Sequence, residues 1–441
     1  MIIERNEYVD QLLAKRWNGK IKIITGLRRS GKSFLLSTLY KRRLIQEGVE
    51  RDAFIEIALD RKSDMAYRNP NLLYDYVMAH AKDSNRDYYI FIDEIQLSYR
   101  VKNKDVDDAS VPEEDRDLLY TTFYDVLNDL MVRPNLDIYV TGSNSKMLSK
   151  DIVTNFRDRG SEIKVFPLSF AEYMSVARQE KADALEEYMT YGGMPLAVIE
   201  PDIKEKVRYL QGLFSNVYIK DIVERHNLKD ETILSALVDT LASSVGSLTS
   251  PNRLANTAGS IMGKSVSHNT IRIYLDYLEE SYLFQSSRRW DVKGRRYFDS
   301  IQKYYATDLG LRNARLNFRQ QERSHLMENM IYNDLVRRGY SVDVGVVEQT
   351  RTIDGKRKAS QYEIDFVVNL RNSKVYVQSA LNVDSPEKKF QETFSLRNTG
   401  DFFRKIVVLD GSGKPWTDED GVMYIGVIPF LLNDIISEVG G

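Results

Sequence analysis

Residues 26–33 read GLRRSGKS, which has the residue types and spacing of a loop that binds the phosphates of a nucleotide. Glycine permits backbone turns with φ > 0, which let main-chain N–H groups face a phosphate. The lysine of such a loop reaches the β- and γ-phosphates and the next hydroxyl ligates Mg²⁺, roles that fall to Lys32 and Ser33. The predicted nucleotide-binding residues are Gly26, Leu27, Arg28, Arg29, Ser30, Gly31, Lys32, Ser33 and Phe34.

A pair of adjacent carboxylates, Asp93 and Glu94, adds to this chemistry. They follow a continuous apolar run at residues 88–92, which is typical of a strand buried in a parallel sheet. Ligands of such sheets bind in the crevice at the carboxyl ends of the strands. We therefore expect Asp93 to support the metal together with Ser33, and Glu94 to orient or deprotonate the attacking water.

Two further positions are candidates for contact with the γ-phosphate, and each has a structural alternative. Ser143 and Asn144 follow the buried run at residues 137–141, where a polar side chain either senses the γ-phosphate or caps a helix. Arg157 and Arg159 come next, and an arginine here either stabilises transition-state charge, in cis or in trans, or lies on the surface. The predicted catalytic residues are Lys32, Glu94, Asn144 and Arg159.

These residues need a framework of buried strands alternating with helices. Apolar runs predict strands at residues 21–25, 53–59, 88–92, 137–141 and 162–166. Helices are expected at residues 6–17, after Ser33, at 71–81 and at 118–131. This alternation predicts an α/β domain with a parallel sheet. The acidic segment at residues 102–117 is expected to be a solvated loop.

The composition limits the classes of protein to which the chain can belong. Its 441 residues are too many for one core, and its contents of 42 % apolar and 29 % charged residues are ordinary for a globular protein. The lack of cysteine excludes disulfides, thiolate zinc sites and a cysteine nucleophile, and four scattered histidines disfavour a histidine metal cluster. The net charge of −2 gives no global attraction to nucleic acid. With no signal peptide or membrane span visible, we expect a cytoplasmic protein without a membrane partner.

The order of several short motifs resembles the prokaryotic AAA-superfamily ATPases that carry a C-terminal domain of unknown function with a nuclease-like end. In chain order the motifs are ITGLRRSGKS, IFIDEIQ, VTGSNSKML, an arginine before PLSF, YGGMP and YIKDI. The resemblance implies an AAA-type sheet that binds ATP rather than GTP, with Asp93 and Glu94 as its Walker B pair. It also implies that Arg159 is the arginine before PLSF and that about residues 171–225 form a small helical lid.

The middle of the chain has the element order of a winged helix-turn-helix. Helices are predicted at residues 251–262 and 267–280, and strands at 282–290 and 303–307. Such a module either binds double-stranded DNA, with a helix in the major groove and a basic wing on the phosphates, or packs against the ATPase with its arginines in solvent. The residues predicted to contact DNA are His268, Asn269, Arg272, Arg288, Arg289, Lys293, Arg295 and Arg296.

The C-terminal part of the chain resembles the PD-(D/E)xK nuclease fold. A helix is predicted at residues 322–338, and strands at 340–347, through 362–366 and at 375–380, with a basic loop at 351–358. In that fold a helix glutamate, a strand aspartate and a glutamate or glutamine on the next strand hold a metal ion. The resemblance assigns these places to Glu328, Asp365 and Gln378.

The lysine that completes this nuclease pattern is missing, because Ala380 stands in its place. Without that lysine the attacking water loses its positioning charge. Lys388 or Lys389 of the following helix is a candidate substitute. We nevertheless expect a catalytically degraded site.

The sequence thus predicts a three-part α/β protein. Residues 1–227 would form a P-loop AAA-type ATPase domain with its helical lid, 228–315 a winged-helix domain, and 316–441 a restriction-endonuclease-like domain. The favoured function is Mg²⁺-dependent ATP hydrolysis coupled to a C-terminal region that binds double-stranded DNA or a protein. The alternatives are an ATP-gated switch with negligible turnover and a metal-dependent DNA nuclease. Nothing in the sequence specifies an oligomeric state.

Overall fold

The structure, a computed structural model, describes residues 2–104, 106–107, 111–143, 159–228, 231–319, 321–353 and 356–439. The chain divides into two compact units, here called the first and the second unit. The first comprises Ile2–Phe166 with Glu280–Tyr282, and the second Pro167–Glu279 with Leu283–Gly441. The domain boundaries predicted at residues 227 and 315 both fall inside the second unit.

A five-stranded parallel sheet forms the centre of the first unit. In chain order the strands of this unit are β1 (Ile21–Thr25), β2 (Phe54–Ala58), β3 (Tyr88–Asp93), β4 (Val101–Lys102), β5 (Tyr120–Thr121), β6 (Leu136–Thr141) and β7 (Gly160–Lys164). Strands β4 and β5 form a separate antiparallel ribbon, and the other five pair in the order β2-β3-β6-β1-β7. The carboxyl ends of β1, β6 and β3 therefore lie side by side at one edge of the sheet.

Helices cover both faces of this sheet. They are α1 (Asn6–Ala14), α2 (a continuous run of Lys32–Phe34, Leu35–Tyr40 and Lys41–Gln46), α3 (Pro70–His80) and α4 (Phe123–Met131). Buried side chains of α1 and α2 pack on one face, and those of α3 and α4 on the other. Helix α4 begins later than predicted, because Thr122 and Asp125 form a reciprocal capping box directly before it.

A buried ion pair links the neighbouring strands β1 and β6. The side chains of Lys22 and Asp137 contact each other and are 0 % and 2 % exposed. Asp137 also accepts a hydrogen bond from the Tyr139 hydroxyl at 2.7 Å and one from the main-chain N–H of Trp17 at 3.2 Å. Burial lowers the pKa of Lys22, and the charge of Asp137 partly opposes this. Each buried charge is thus balanced by the opposite charge on the neighbouring strand.

The second unit begins with a run of helices. In chain order its first elements are α5 (Phe170–Met174), α6 (Lys181–Tyr191), α7 (Pro195–Ile199), α8 (a continuous run of Ile203–Leu213, Phe214–Ile219 and Lys220–Arg225), α9 (Glu231–Ser243), β8 (Leu248–Thr249), α10 (Pro251–Met262), α11 (His268–Glu280), β9 (Phe284–Asp291) and β10 (Arg296–Ala306). Its remaining elements are α12 (Leu309–Arg315), α13 (Arg323–Arg337), β11 (Ser341–Ile353), β12 (Lys356–Asn369), β13 (Lys374–Ala380), α14 (Pro386–Arg397), β14 (Arg404–Leu409), β15 (Trp416–Thr417), β16 (Val422–Gly426), α15 (Val427–Leu432) and α16 (Ile435–Val439). None of the helices that the structure describes has the length and apolar character needed to cross a bilayer.

A single nine-stranded sheet runs through the second unit in the order β15-β16-β14-β13-β12-β11-β9-β10-β8. Strand β9 pairs in parallel with β11, with Trp290 opposite Gly345. The predicted winged-helix and nuclease-like regions therefore share one sheet, and no boundary between compact units falls at residue 315. The loop predicted at residues 351–358 is wrong, because β11 and β12 form one long hairpin in which Ile353 pairs with Lys356. The Asp-Gly pair at 354–355 is a sequence signal for such a hairpin. It was not recognised because the surrounding residues are polar and basic, as in a loop.

Two glycine-containing segments join the predicted lid to the rest of the second unit. Gly193 donates its main-chain N–H to the buried carboxylate of Asp308 at 2.7 Å. A Cβ atom at Gly310 would lie 1.9 Å from the carbonyl oxygen of Tyr191, so only glycine permits this approach. The Asn313 amide donates to two carbonyl oxygens at the end of α6, both at 2.9 Å. These contacts explain why residue 227 does not lie at a boundary between units.

Candidate functional site

The chain turns sharply between β1 and α2, and this turn contains the predicted phosphate loop, residues 26–33. Gly26, Arg29 and Gly31 have φ values of 129°, 65° and 96°. A Cβ atom at Gly26 would lie 2.1 Å from the carbonyl oxygen of Val165, so no other residue fits there without rearrangement. Arg29 is held in a left-handed conformation that is costly for a residue other than glycine. The left-handed turns that a phosphate loop requires are thus present at the predicted place.

The phosphate loop is anchored by Arg5, a residue that the sequence analysis does not single out. Its guanidinium donates to the carbonyl oxygen of Ser30 at 3.0 Å and to that of Phe166 at 2.9 Å. Arg5 is only 3 % exposed. It thereby ties the loop to the segment that follows β7. Its partners lie 25 and 161 residues away along the chain, so no local sequence pattern indicates this role.

Lys32 folds back into the phosphate loop. Its ammonium donates to the carbonyl oxygens of Gly26 and Leu27, both at 3.0 Å. Burial lowers the pKa of Lys32 to about 8, although Glu94 and Asp93 partly oppose the shift. Charge-assisted hydrogen bonds to phosphate oxygens are stronger than bonds to neutral carbonyls. A bound phosphate would therefore compete well for this ammonium.

Asp93, the last residue of β3, connects the phosphate loop to the end of the neighbouring strand β6. Its Oδ1 accepts hydrogen bonds from the hydroxyls of Ser33, at 2.9 Å, and of Thr141. The hydroxyl oxygen of Thr141 in turn accepts the main-chain N–H of Glu94 at 3.0 Å. One hydroxyl and one carboxylate fit Mg²⁺, which proteins usually hold by one or two carboxylates together with phosphate oxygens. Thr141 was not among the predicted site residues, although its hydroxyl at the end of a buried strand was a signal that the sequence offered.

The carboxylate of Glu94 is held by Gln96, which the sequence analysis also missed. Glu94 has a left-handed φ of 55°, and its Oε2 accepts a hydrogen bond from the Gln96 amide. The same amide nitrogen lies 3.4 Å from the hydroxyl of Ser143, beyond the end of β6. The amide oxygen of Gln96 is buried and has no hydrogen-bond partner among the described residues. Gln96 thus fixes the direction of the Glu94 carboxylate and links it to the strand on which γ-phosphate sensing was predicted.

Of the remaining candidates for contact with the γ-phosphate, Arg159 does not join this arrangement. Asn144 and Arg157 lie outside the described residues. Arg159 is exposed, and its carbonyl oxygen accepts the N–H of Ile21, the first residue of β1, at 3.0 Å. The phosphate loop begins beyond the opposite end of that strand, roughly 16 Å away at the usual rise per residue. Arg159 therefore lies at the amino ends of β1 and β7, whereas the phosphate loop of its own chain lies at the carboxyl ends of the strands.

The residues predicted to contact DNA are only partly available. The side chains of His268, Asn269, Arg272, Arg288, Lys293, Arg295 and Arg296 are exposed. The prediction that Arg289 contacts DNA is wrong. Arg289 is only 8 % exposed, and its guanidinium donates to the Gln361 amide oxygen at 3.0 Å. The guanidinium of Arg288 stacks over the ring of Tyr297 at 4.1 Å. Arg289 thus packs between strands and is not free to bind phosphate.

The structure brings the predicted nuclease-like residues together in the second unit. Asp365 donates its main-chain N–H to the Gln378 amide oxygen at 3.3 Å, and Glu328 faces the same place from α13. Lys303 of β10, which the sequence analysis did not single out, lies between these acids. Lys389 does not substitute for the missing lysine, because its ammonium lies 3.0 Å from Asp418. Within the described ranges, no group of three or more histidine, cysteine, aspartate or glutamate side chains is arranged to hold a metal ion.

Comparison with known proteins places the chain in a family. Residues 18–174 match a family model described as an AAA domain, and residues 182–322 match one described as a domain of unknown function (DUF8612). An uncharacterized protein of Haemophilus influenzae is 31 % identical over 436 residues, which are 98 % of this chain and 99 % of that protein. The chain belongs to the family of this protein. An uncharacterized protein of Methanocaldococcus jannaschii is 26 % identical over 432 residues, covering 93 % of this chain and 87 % of that one.

The AAA-domain match contains the phosphate loop, the Asp93–Glu94 pair and the parallel sheet, and it confirms the AAA part of the predicted fold. Among solved structures, Cdc6p of Pyrobaculum aerophilum aligns with a TM-score of 0.29 and 12 % identity over 72 % of this chain and 94 % of that chain. AMPPCP-bound DnaA of Aquifex aeolicus aligns with a TM-score of 0.29 and 15 % identity over 62 % and 86 %. These TM-scores are too low to carry an argument about function.

Proposed function

We propose that the first unit binds Mg²⁺ and ATP and hydrolyses the nucleotide by attack of water on the γ-phosphate. The observation that carries this proposal is the convergence of Lys32, Ser33, Asp93 and Glu94 at one edge of the parallel sheet. The match of residues 18–174 to an AAA domain supports the same class of protein.

Each of these side chains has a distinct role in the proposed reaction. Lys32 exchanges its two carbonyl partners for phosphate oxygens. Ser33 and Asp93 would hold Mg²⁺, which neutralises phosphate charge when it is bound. Glu94 orients the attacking water or accepts its proton. The rate enhancement then comes mainly from positioning and electrostatic stabilisation.

The position of Arg159 restricts how it could act. Because it lies at the far edge of the sheet from its own phosphate loop, it would meet a nucleotide only in a second copy of the chain. An arginine supplied in trans is a known way to stabilise charge in phosphoryl transfer. We therefore propose Arg159 as a catalytic residue only across an interface between copies.

Steady-state ATP hydrolysis by the purified full chain tests the proposed function. We expect Mg²⁺-dependent turnover by the wild type. We expect Lys32→Ala to lose ATP binding, because it removes the cation that lies within the phosphate loop. Equilibrium binding of a fluorescent ATP analogue is the matching measurement. A Lys32→Ala protein that binds ATP with wild-type affinity would contradict the assignment.

ATP binding should also take up a proton at alkaline pH. Burial lowers the pKa of Lys32 to about 8 in the nucleotide-free protein, so a large share of the molecules carry a neutral amine at pH 8.5. Phosphate oxygens favour the ammonium, so binding draws a proton from the buffer at pH 8.5 and almost none at pH 6.5. Calorimetry in two buffers of different ionisation enthalpy measures this uptake. Lys32→Arg is the control, because arginine stays charged at both pH values. Equal binding heats in both buffers at pH 8.5 would refute the prediction.

A second candidate function is binding of double-stranded DNA by the second unit, gated or stimulated by nucleotide. The order α9-β8-α10-α11-β9-β10, with β8 paired to β10, supports a winged helix-turn-helix. The exposed face of α11 carries His268, Asn269 and Arg272, as a recognition helix requires. Turnover that rises with DNA would support this function. ATP binding without turnover, with or without DNA, would favour a nucleotide-gated switch that binds a protein.

A further inference from the structure

Three carboxylates and one lysine form a compact group inside the second unit. The Lys303 ammonium lies 2.8 Å from Glu328, 2.6 Å from Glu363 and 3.6 Å from Asp365. We call the three carboxylates the acid cluster. They come from α13 and β12, whereas Lys303 comes from β10. The side chain of Lys303 is 3 % exposed, so its ammonium is almost fully removed from water.

Several oxygen atoms of the acid cluster already accept hydrogen bonds. Oε1 of Glu328 accepts from Lys303 and from the Tyr305 hydroxyl, both at 2.8 Å. Oδ2 of Asp365 accepts the main-chain N–H of Ser379 at 2.8 Å. Burial, together with the charge of Glu328, raises the pKa of Asp365, although Lys303 partly opposes the shift. A metal ion at these oxygens would have to displace the donors that they already accept.

A PD-(D/E)xK-like site needs a divalent cation between its carboxylates, and the residues present here do not fit one. A metal ion and the Lys303 ammonium would have to share the same oxygens, at distances where two positive charges repel strongly in a buried place. Glu328 and Glu363 already have the ammonium as counter-ion. We infer that Lys303 is the resident cation of the acid cluster and takes the place of a metal ion in the second unit.

A lysine in place of a metal ion limits the chemistry that the nuclease-like part of the chain can perform. An ammonium offers hydrogen bonds but no vacant coordination position, so it does not activate water as a bound metal does. It also ties β10 to α13 and β12 by buried ion pairs, which are costly to break from one side. The acid cluster therefore acts as a structural ionic centre that works without metal, and the second unit should not cleave DNA.

Binding of Mn²⁺ to the nucleotide-free full chain tests the inference. We expect the wild type to show no Mn²⁺ site that Asp365→Asn removes. Lys303→Met keeps a similar side-chain volume but frees the carboxylates, and it should gain one Mn²⁺ site at least tenfold tighter than any in the wild type. Combining Lys303→Met with Asp365→Asn should remove that site. Lys405→Met is the matched control, because the Lys405 ammonium donates to carbonyl oxygens and has no carboxylate partner among the described residues.

Calorimetry and the paramagnetic resonance of Mn²⁺ both report on such a site without any assay of activity. A wild-type Mn²⁺ site that Asp365→Asn abolishes would overturn the inference, as would a folded Lys303→Met protein that gains none. If Lys303→Met does not fold, the comparison of wild type with Asp365→Asn still decides the matter. Mn²⁺-dependent cleavage of plasmid DNA by the wild type that Asp365→Asn eliminates would also refute it. None of these results depends on ATP hydrolysis by the first unit.

Discussion

The Glu94→Gln variant should bind ATP with wild-type affinity and hydrolyse it at least about 100-fold more slowly, which is the usual range for loss of a general base. The amide has nearly the same shape as the carboxylate but neither accepts a proton nor carries the charge that orients water. Lys32, Ser33 and Asp93 are untouched, so the phosphate and metal contacts remain. Binding and chemistry should therefore separate cleanly in this variant.

Two further variants locate the cause of such a loss. Glu50→Gln makes the same chemical change at a carboxylate that pairs with Arg86 on the surface, and it should leave turnover unchanged. Gln96→Ala keeps the Glu94 carboxylate but removes the amide that holds it. We expect Gln96→Ala to slow hydrolysis by roughly tenfold without changing the pH profile, because it acts on position and not on proton affinity.

The rate of single-turnover hydrolysis and the equilibrium affinity for ATP are measured for the wild type and for these variants. Turnover by Glu94→Gln within a few-fold of the wild type would eliminate Glu94 as the base. Loss of ATP binding in Glu94→Gln would instead give this residue a role in holding nucleotide. A wild type that binds ATP and does not turn it over, with or without DNA, would favour the switch. The side chains described here would then serve recognition of the γ-phosphate.

The framework of the first unit could be predicted from the sequence because its signals are local. Continuous apolar runs mark β1, β3 and β6. The phosphate loop with Lys32 follows β1, and Asp93 and Glu94 stand at the carboxyl end of β3. Parallel strands with adjacent carboxyl ends then bring these residues together without further information. For this part of the site, residue type and distance from a strand end were sufficient.

The residues that were missed depend on contacts between distant parts of the chain. Thr141 contacts Asp93 across 48 residues, and Arg5 contacts Phe166 across 161. Lys303 enters the acid cluster because β9 and β10 join the C-terminal sheet, a pairing for which the sequence carries no periodic signal. Gln96 is near Glu94 in sequence, but its role follows from a left-handed turn that φ values reveal and composition does not.

The division of the chain into compact units could not be predicted because it depends on the same kind of contact. The lid segment, the helix pair and the C-terminal strands each have their own local pattern, which suggests separate domains. Gly310 permits a close main-chain approach to Tyr191, and the Gly193 N–H donates to Asp308, so these two contacts join the lid segment to the segment that begins α12. Such close approaches need the absence of a side chain, and a glycine in sequence does not say which distant segment it admits.

The Asp137→Ala variant should lose about 3–5 kcal/mol of the first unit's stability, which is typical when one partner of a buried ion pair is removed. The change leaves the Lys22 ammonium, at 0 % exposure, with the carbonyl oxygen of Lys20 at 2.9 Å as its one hydrogen-bond acceptor among the described residues. It also removes the carboxylate acceptor of the Tyr139 hydroxyl, which keeps the Tyr40 hydroxyl as a partner at 2.7 Å. Because burial already lowers the pKa of Lys22, the orphaned lysine should give up its proton in the folded state.

This proton loss fixes the sign of the pH dependence. The unfolded state keeps the Lys22 proton up to about pH 10.4 and so binds more protons than the folded variant above the lowered pKa. The stability deficit of Asp137→Ala should therefore shrink as the pH rises from 7 towards 10. Lys22→Met combined with Asp137→Leu removes both charges, and it should recover most of the loss because no buried charge is left without a partner.

Urea unfolding followed by Trp17 fluorescence reports on the first unit alone when Trp290 and Trp416 are replaced by phenylalanine. Trp17 is a sensitive probe, because its indole N–H donates to the Tyr89 hydroxyl at 3.3 Å beside the ion pair. Asp52→Ala, which breaks the surface pair with Arg86, is the control and should change the midpoint little. Two results would show that the Lys22 charge does not depend on Asp137. One is that Asp137→Ala loses no more free energy of unfolding than Asp52→Ala, and the other is that the double variant is as unstable as Asp137→Ala. The register of β1 against β6, and with it the position of the phosphate loop, would then rest on apolar packing alone.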